Sequence, residues 1–218
     1  MNAQLSAFRG FIFDLNGTMI DDMAYHVKAW SNILNNDLNA GLDYEGVKKE
    51  MYGKNSEVLE RIFGKGKFTG EEMDRLSMEK ERRYQAAYLP ELRLIRGLQQ
   101  LLDEAKAQGV GMAIGSAAIP FNIDFVLDNL QIRSYFDTIV SADDVRISKP
   151  HPETYLKCAD NLGLAPEDCL VFEDAPKGVE AAENAGMKAI VLTTLHGPED
   201  FGQYGNVLEF VSDYTKLV

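Results

Sequence analysis

Phe11-Ile12-Phe13-Asp14-Leu15-Asn16-Gly17-Thr18 is the stretch from which the rest of the chain is read. Its three apolar residues are too few for a helix. They end on an acid and then a glycine, as a buried strand does when it stops at a polar rim. Runs of the same kind recur at Val110 to Ile114, Thr138 to Val140, Cys169 to Phe172 and Lys188 to Leu192. Between them lie helical patterns: Leu98 to Ala107 before Gly109, Phe121 to Leu130 after Pro120, Pro152 to Leu162 before Gly163, and Pro176 to Ala185 before Gly186. Proline near the start and glycine past the end punctuate helices. Strands alternating with helices of this length predict an α/β fold, a doubly wound parallel sheet with helices on both faces.

From about Asp21 to Tyr88 the rhythm changes. No strand-like run occurs there, and four helical ones do: Met23 to Leu34, Tyr44 to Met51, Ser56 to Phe63 and Glu71 to Tyr88. The expected organisation is a core domain of residues 1-20 and 89-218 with a helical domain of residues 21-88 inserted between the first two strands. Glu79, Lys80, Glu81, Arg82 and Arg83 read as a solvated helix face sooner than a binding patch.

Composition narrows the partners. The 218 residues carry 22 Lys and Arg against 34 Asp and Glu, a net charge of -12, which repels nucleic acid and anionic membranes at long range. An anionic substrate must then be met by a bound cation or a few placed lysines. No stretch reaches the ~18 apolar residues of a membrane span, and the N-terminus lacks the order of a signal peptide. A soluble cytoplasmic protein, monomeric and without nucleic-acid or membrane partners, is expected. Cys158 and Cys169 lack motif spacing and read as buried free thiols.

In an open parallel sheet, ligands bind beyond the carboxyl ends of the strands. The residues arriving there are Asp14 after the first run, Gly115 and Ser116 after the second, Lys149 on the loop after the third, and Glu173 and Asp174 after the fourth. Taken singly they have plain readings, as turn residues, loop punctuation or solvated acids near a helix start. Taken in order they suggest one site. Clustered carboxylates repel unless a cation sits among them, and an oxygen-only donor set suits Mg²⁺. A carboxylate held beside phosphorus is a competent nucleophile. Lys149 and Ser116 would meet the non-bridging oxygens of a phosphoryl group.

The segments Phe11 to Thr18, Gly115-Ser116, Lys149-Pro150 and Val171 to Ala175 with Gly178 resemble the four motifs of the haloacid dehalogenase superfamily. The resemblance covers nearly the whole chain, since the helical insertion is similar to that family's small cap domain. His26, Trp30 and Ser148-Lys149-Pro150 look closest to its β-phosphoglucomutase-like branch of phosphatases and sugar-phosphate mutases. The resemblance implies Asp14 as nucleophile, with Asp174 and the backbone carbonyl of Asn16 as Mg²⁺ ligands beside it. Glu173 is implied as an acid supporting metal-bound water. Thr18, Ser116, Ala117 and Lys149 are the expected substrate contacts in the core, with His26 and Lys54 in the cap. Lys54 reads equally as a solvated lysine, and His26 as a packed neutral side chain or a hydrogen-bond partner across the cap hinge.

One position departs from the family pattern. The first motif normally reads Asp-x-Asp, the second Asp serving as general acid and base, and Asn16 stands in its place. An amide side chain is neither a useful acid nor a useful base at neutral pH. Catalysis is then weakened, or another group substitutes, or the chain is a variant made to trap a complex. The resemblance implies a Mg²⁺-dependent phosphatase of small phosphorylated metabolites. Gly53 to Glu57 lacks the arginine with which the branch's mutases hold a second phosphate, so a mutase is the alternative, followed by a phosphometabolite-binding protein.

Overall fold

The computed structural model describes all 218 residues, which divide into two compact units, Met1–Asp21 with Arg93–Val218 and Asp22–Leu92. In the first unit six parallel strands run β1 (Gly10–Phe13), β2 (Gly111–Gly115), β3 (Thr138–Val140), β4 (Cys169–Glu173), β5 (Lys188–Leu192) and β6 (Val207–Val211). Their order across the sheet is β3-β2-β1-β4-β5-β6. The doubly wound α/β sheet read from the sequence is the fold. Its matching helices are α5 (Leu98–Ala107), α6 (Pro120–Leu130), α7 (Glu153–Leu162) and α8 (Pro176–Asn184).

Every residue of β1 is buried, as a strand covered on both faces requires. Phe11 and Phe13 pack with Phe172 on one side, the Phe13 and Phe172 rings stacked at 4.6 Å. Ile12 and Val171 face the other side with Tyr155, Cys158 and Ala181. Cys158 and Cys169 are buried free thiols, as read. β6 is a strand the sequence reading missed: on the sheet edge it is only partly buried, so Val207 to Val211 lacks the dense apolar run that marked the others.

The second unit is wholly helical: α1 (Met23–Ser31), which widens into a π-helical turn at Asn32–Asp37, then α2 (Tyr44–Glu50), α3 (Asn55–Phe63) and α4 (Gly70–Tyr88). Leu89–Glu91 continue α4 as a 3₁₀ turn and carry the unit to Leu92. Its own core gathers Val27, Trp30, Ile33, Leu34, Val58 and Leu59. Thr69 and Glu72 start α4 with a reciprocal capping box.

Candidate active site

Chain order places β2 and β3 on one side of β1, then sends β4 to the other, so the sheet reverses between β1 and β4. Ligand sites in open α/β sheets form at such a reversal. Register does the rest: Phe13 lies opposite Ile114 and Phe172, so Asp14 emerges level with Gly115 and Glu173. Asp14 N–H donates to Phe172 O at 2.9 Å, and Ser116 N–H to Val140 O at 2.9 Å. Carboxylate oxygens of Asp14, Glu173 and Asp174 lie within 4.8 Å of one another, all three buried.

Lys149 reaches the same point from the loop after β3, its Nζ 2.7 Å from Asp14 Oδ1 and 2.8 Å from Glu173 Oε1. Burial pulls its ammonium down, but the charges of Asp14 and Glu173 outweigh burial and hold it above the ordinary lysine range. Glu173 is saturated. Its Oε1 accepts from Lys149 and from Tyr155 Oη at 2.7 Å, and its Oε2 from the N–H groups of Asp174 at 2.8 Å and Ala175 at 2.9 Å. A carboxylate offers about four lone-pair sites, so these four donors fill it. Gly178 makes room: a Cβ there would lie 1.7 Å from Glu173 Oε1.

The donor set fits a magnesium ion. Asp14 and Asp174 offer hard carboxylate oxygens to such an ion, whereas Glu173, expected beside it from the sequence, has its acceptor positions filled by protein donors. Three buried carboxylates gather beside the Lys149 ammonium, a concentration of negative charge in which a divalent cation would be well placed.

Around this centre, Thr18 is buried, with Oγ1 3.5 Å from Asp174 Oδ1. Ser116 Oγ accepts from Ala118 N–H at 3.1 Å, and Ala117 lies between them on the β2–α6 loop. Asn16 is half-buried and forms a bridge with Ile20. Two hydroxyls from late in the chain hold the loop that follows: Thr194 Oγ1 donates to Gly17 O at 2.6 Å, and Tyr214 Oη to Thr18 O at 3.0 Å. The sequence reading found neither of these, nor Tyr155. A tyrosine on a buried helix face was the available signal for Tyr155, because its hydroxyl must find a partner.

His26 and Lys54 belong to the helical unit. His26 is buried, its Nδ1 2.7 Å from Lys80 Nζ and its Nε2 3.2 Å from Asp22 Oδ2, with the ring stacked on Tyr84. An ammonium only donates, so Nδ1 accepts and Nε2–H faces Asp22. Lys80 and Glu81, expected on a solvated face, are instead buried and paired at 3.0 Å, and Asn55 donates to Glu81 at 2.6 Å. The density of charge from 79 to 83 hid this, because α4 turns two of the five inward. Lys54 caps α3, its N–H donating to Glu57 Oε2 at 2.8 Å, and is half-exposed.

A family model described as haloacid dehalogenase-like hydrolase matches residues 11–192. The chain is 33% identical over 188 residues to a fructose-1-phosphate phosphatase of Escherichia coli, covering 84% of this chain and 95% of that protein. It is 33% identical over 196 residues to a β-phosphoglucomutase of Bacillus subtilis, covering 84% and 82%. Among solved structures, a β-phosphoglucomutase from Clostridium difficile superposes with a TM-score of 0.81 at 28% identity, covering 92% of this chain and 90% of that one.

Proposed function

The chain belongs to the haloacid dehalogenase-like hydrolase family, and from that premise we propose a Mg²⁺-dependent phosphomonoester hydrolase of small phosphorylated metabolites that works through a phospho-Asp14 intermediate. The observation that carries the reading is the buried cluster of Asp14, Glu173 and Asp174 spanned by Lys149. Asp14 attacks phosphorus. Lys149 holds the Asp14 carboxylate in place, and Ser116, Ala117 and Thr18 meet the phosphate oxygens. Mg²⁺, held by Asp14, Asp174 and the carbonyl of Asn16, would supply positive charge against the phosphoryl group. Glu173, saturated by protein donors, orients Lys149 and the turn into α8. Asn16 leaves the site without the family's acid and base, so turnover is impaired.

Substrate selection is assigned to the helical unit, with Lys54 its candidate contact, whereas the His26 ring nitrogens are engaged by Lys80 and Asp22 within that unit. A sugar-phosphate mutase is the second reading, favoured by the likeness to the Bacillus subtilis enzyme and disfavoured by the missing arginine between Gly53 and Glu57. Phosphate release over a panel of phosphorylated sugars, with and without Mg²⁺, separates the two. Asp14→Ala abolishes both turnover and covalent phosphorylation, and Asp174→Ala chiefly raises the Mg²⁺ concentration required. Undiminished hydrolysis by Asp14→Ala protein would sink the mechanism.

A further inference from the structure

Loading Asp14 makes a bond between its carboxylate oxygen and phosphorus, and breaks the bond from phosphorus to the departing oxygen, which keeps the electron pair. A sugar or other alkyl alkoxide leaves badly unless it gains a proton as it goes. The protonated groups among these carboxylates are already committed. Lys149 donates to both Asp14 and Glu173, and the Tyr155 hydroxyl donates to Glu173. Thr18 and Ser116 carry alcohol protons, no more acidic than the alcohol that must leave. Position 16, beside the nucleophile, carries an amide.

We propose that the substrates of this site are acyl phosphates, the mixed anhydrides of a carboxylic acid and phosphoric acid. The proposal rests on the phospho-Asp14 phosphatase mechanism and replaces its phosphomonoester substrates with mixed anhydrides. An acyl phosphate releases a carboxylate, an anion stable at neutral pH that needs no proton. Loading then moves a phosphoryl group from one carboxylate to another, with the charge unchanged: a substrate dianion and the Asp14 anion become a carboxylate anion and a phospho-Asp14 dianion. The two anhydrides are of one chemical type, so the step is nearly balanced in free energy. In the second half, water attacks phosphorus, Asp14 leaves as its carboxylate, and the water protons end on the phosphate as H₂PO₄⁻. No base at position 16 takes up a proton, so this half is slow and the phosphorylated protein accumulates.

The test compares loading by acetyl phosphate with loading by an alkyl ester, glucose 6-phosphate, in the presence of Mg²⁺. Intact mass and a rapid-quench time course follow the phosphorylated chain. Intrinsic reactivity also favours the anhydride, so the decisive quantity is the ratio of the two rates in the natural chain against the ratio in Asn16→Asp. An acid restored at position 16 accelerates only the alkyl ester, and the alkyl-to-acyl ratio is expected to rise about 10²- to 10⁴-fold. Asn16→Ala, which has no acid either, is expected to keep the natural ratio. Asn16-Gly17 is a pair prone to deamidation, so each sample is checked by mass beforehand. A ratio unchanged in Asn16→Asp overturns the proposal, because a proton donor then reaches the leaving group from elsewhere. Failure of acetyl phosphate to phosphorylate the natural chain also overturns it. Phosphorylation that survives Asp14→Ala instead overturns the underlying phosphatase mechanism, and so tells the two failures apart.

Discussion

Glu173 holds its place through two side chains from earlier in the chain and through the turn that follows it. Lys149, Tyr155 and two backbone N–H groups fill its acceptor positions, and Gly178 leaves the space its carboxylate occupies. Tyr155 is the least obvious of them. It is fully buried on α7, its ring 4.7 Å from Lys149 Nζ, and burial followed by the Glu173 charge pushes its phenol well above the ordinary range. It therefore stays a donor at any working pH. Tyr155→Phe keeps the ring and deletes the proton given to Glu173. Hydrogen bonds to charged groups contribute about 1.5–3 kcal/mol, and urea unfolding of the variant is expected to show a loss in that range. Because the ring that packs beside Lys149 is retained, an unchanged unfolding midpoint would mean that the hydroxyl does not stabilise Glu173.

At the scale of elements, α4 shows how a pattern of charge misleads. Read along the chain, Glu79 to Arg83 is a solvated face; wound into a helix, Lys80 and Glu81 turn inward toward His26, Asp22 and Asn55. Burial lowers the Lys80 ammonium, and the Glu81 charge opposes that. Tyr84 extends the network, its hydroxyl 2.5 Å from Asp22 Oδ2. Removing one partner of a buried pair leaves the other charge uncompensated, typically at a cost of 3–5 kcal/mol, whereas removing both is far milder. Lys80→Met is expected to destabilise by about 3–5 kcal/mol in thermal unfolding. Lys80→Met with Glu81→Gln should recover the greater part. Equal losses in the single and double variants would mean that the pair contributes through packing alone.

Over the whole molecule, the chain's last residues reach back to the loop that carries Asp14. Tyr214 packs against Phe13 and Phe172 and holds the carbonyl of Thr18, and Asn2 N–H donates to Leu217 O at 2.9 Å. Asp213 anchors this segment, bound by Arg96 at 2.6 Å and by Thr215. The Thr215 hydroxyl and N–H, then Arg96, lower the Asp213 carboxyl from 3.8 to about 2. A depressed carboxylate stabilises fully above its unfolded value and loses that contribution as pH falls through its folded one. The stability gap between the natural chain and Asp213→Asn is thus expected to be constant from neutral pH down to about 4 and to close between about 4 and 2. Denaturant midpoints across that window check it, and a gap that widens on acidification would reverse the sign. Five strands, their helices and the order in which Asp14, Ser116, Lys149, Glu173 and Asp174 arrive were legible in the sequence, because short apolar runs and Pro/Gly punctuation act locally. The sixth strand was not, since an edge position asks little apolar density of it. Nor were Tyr155, Thr194 and Tyr214 at the site, or Lys80 and Glu81 inside the helical unit. Each of these depends on a partner brought close by sheet register or helix packing, and local sequence pattern alone does not encode which distant groups the fold brings within hydrogen-bonding distance.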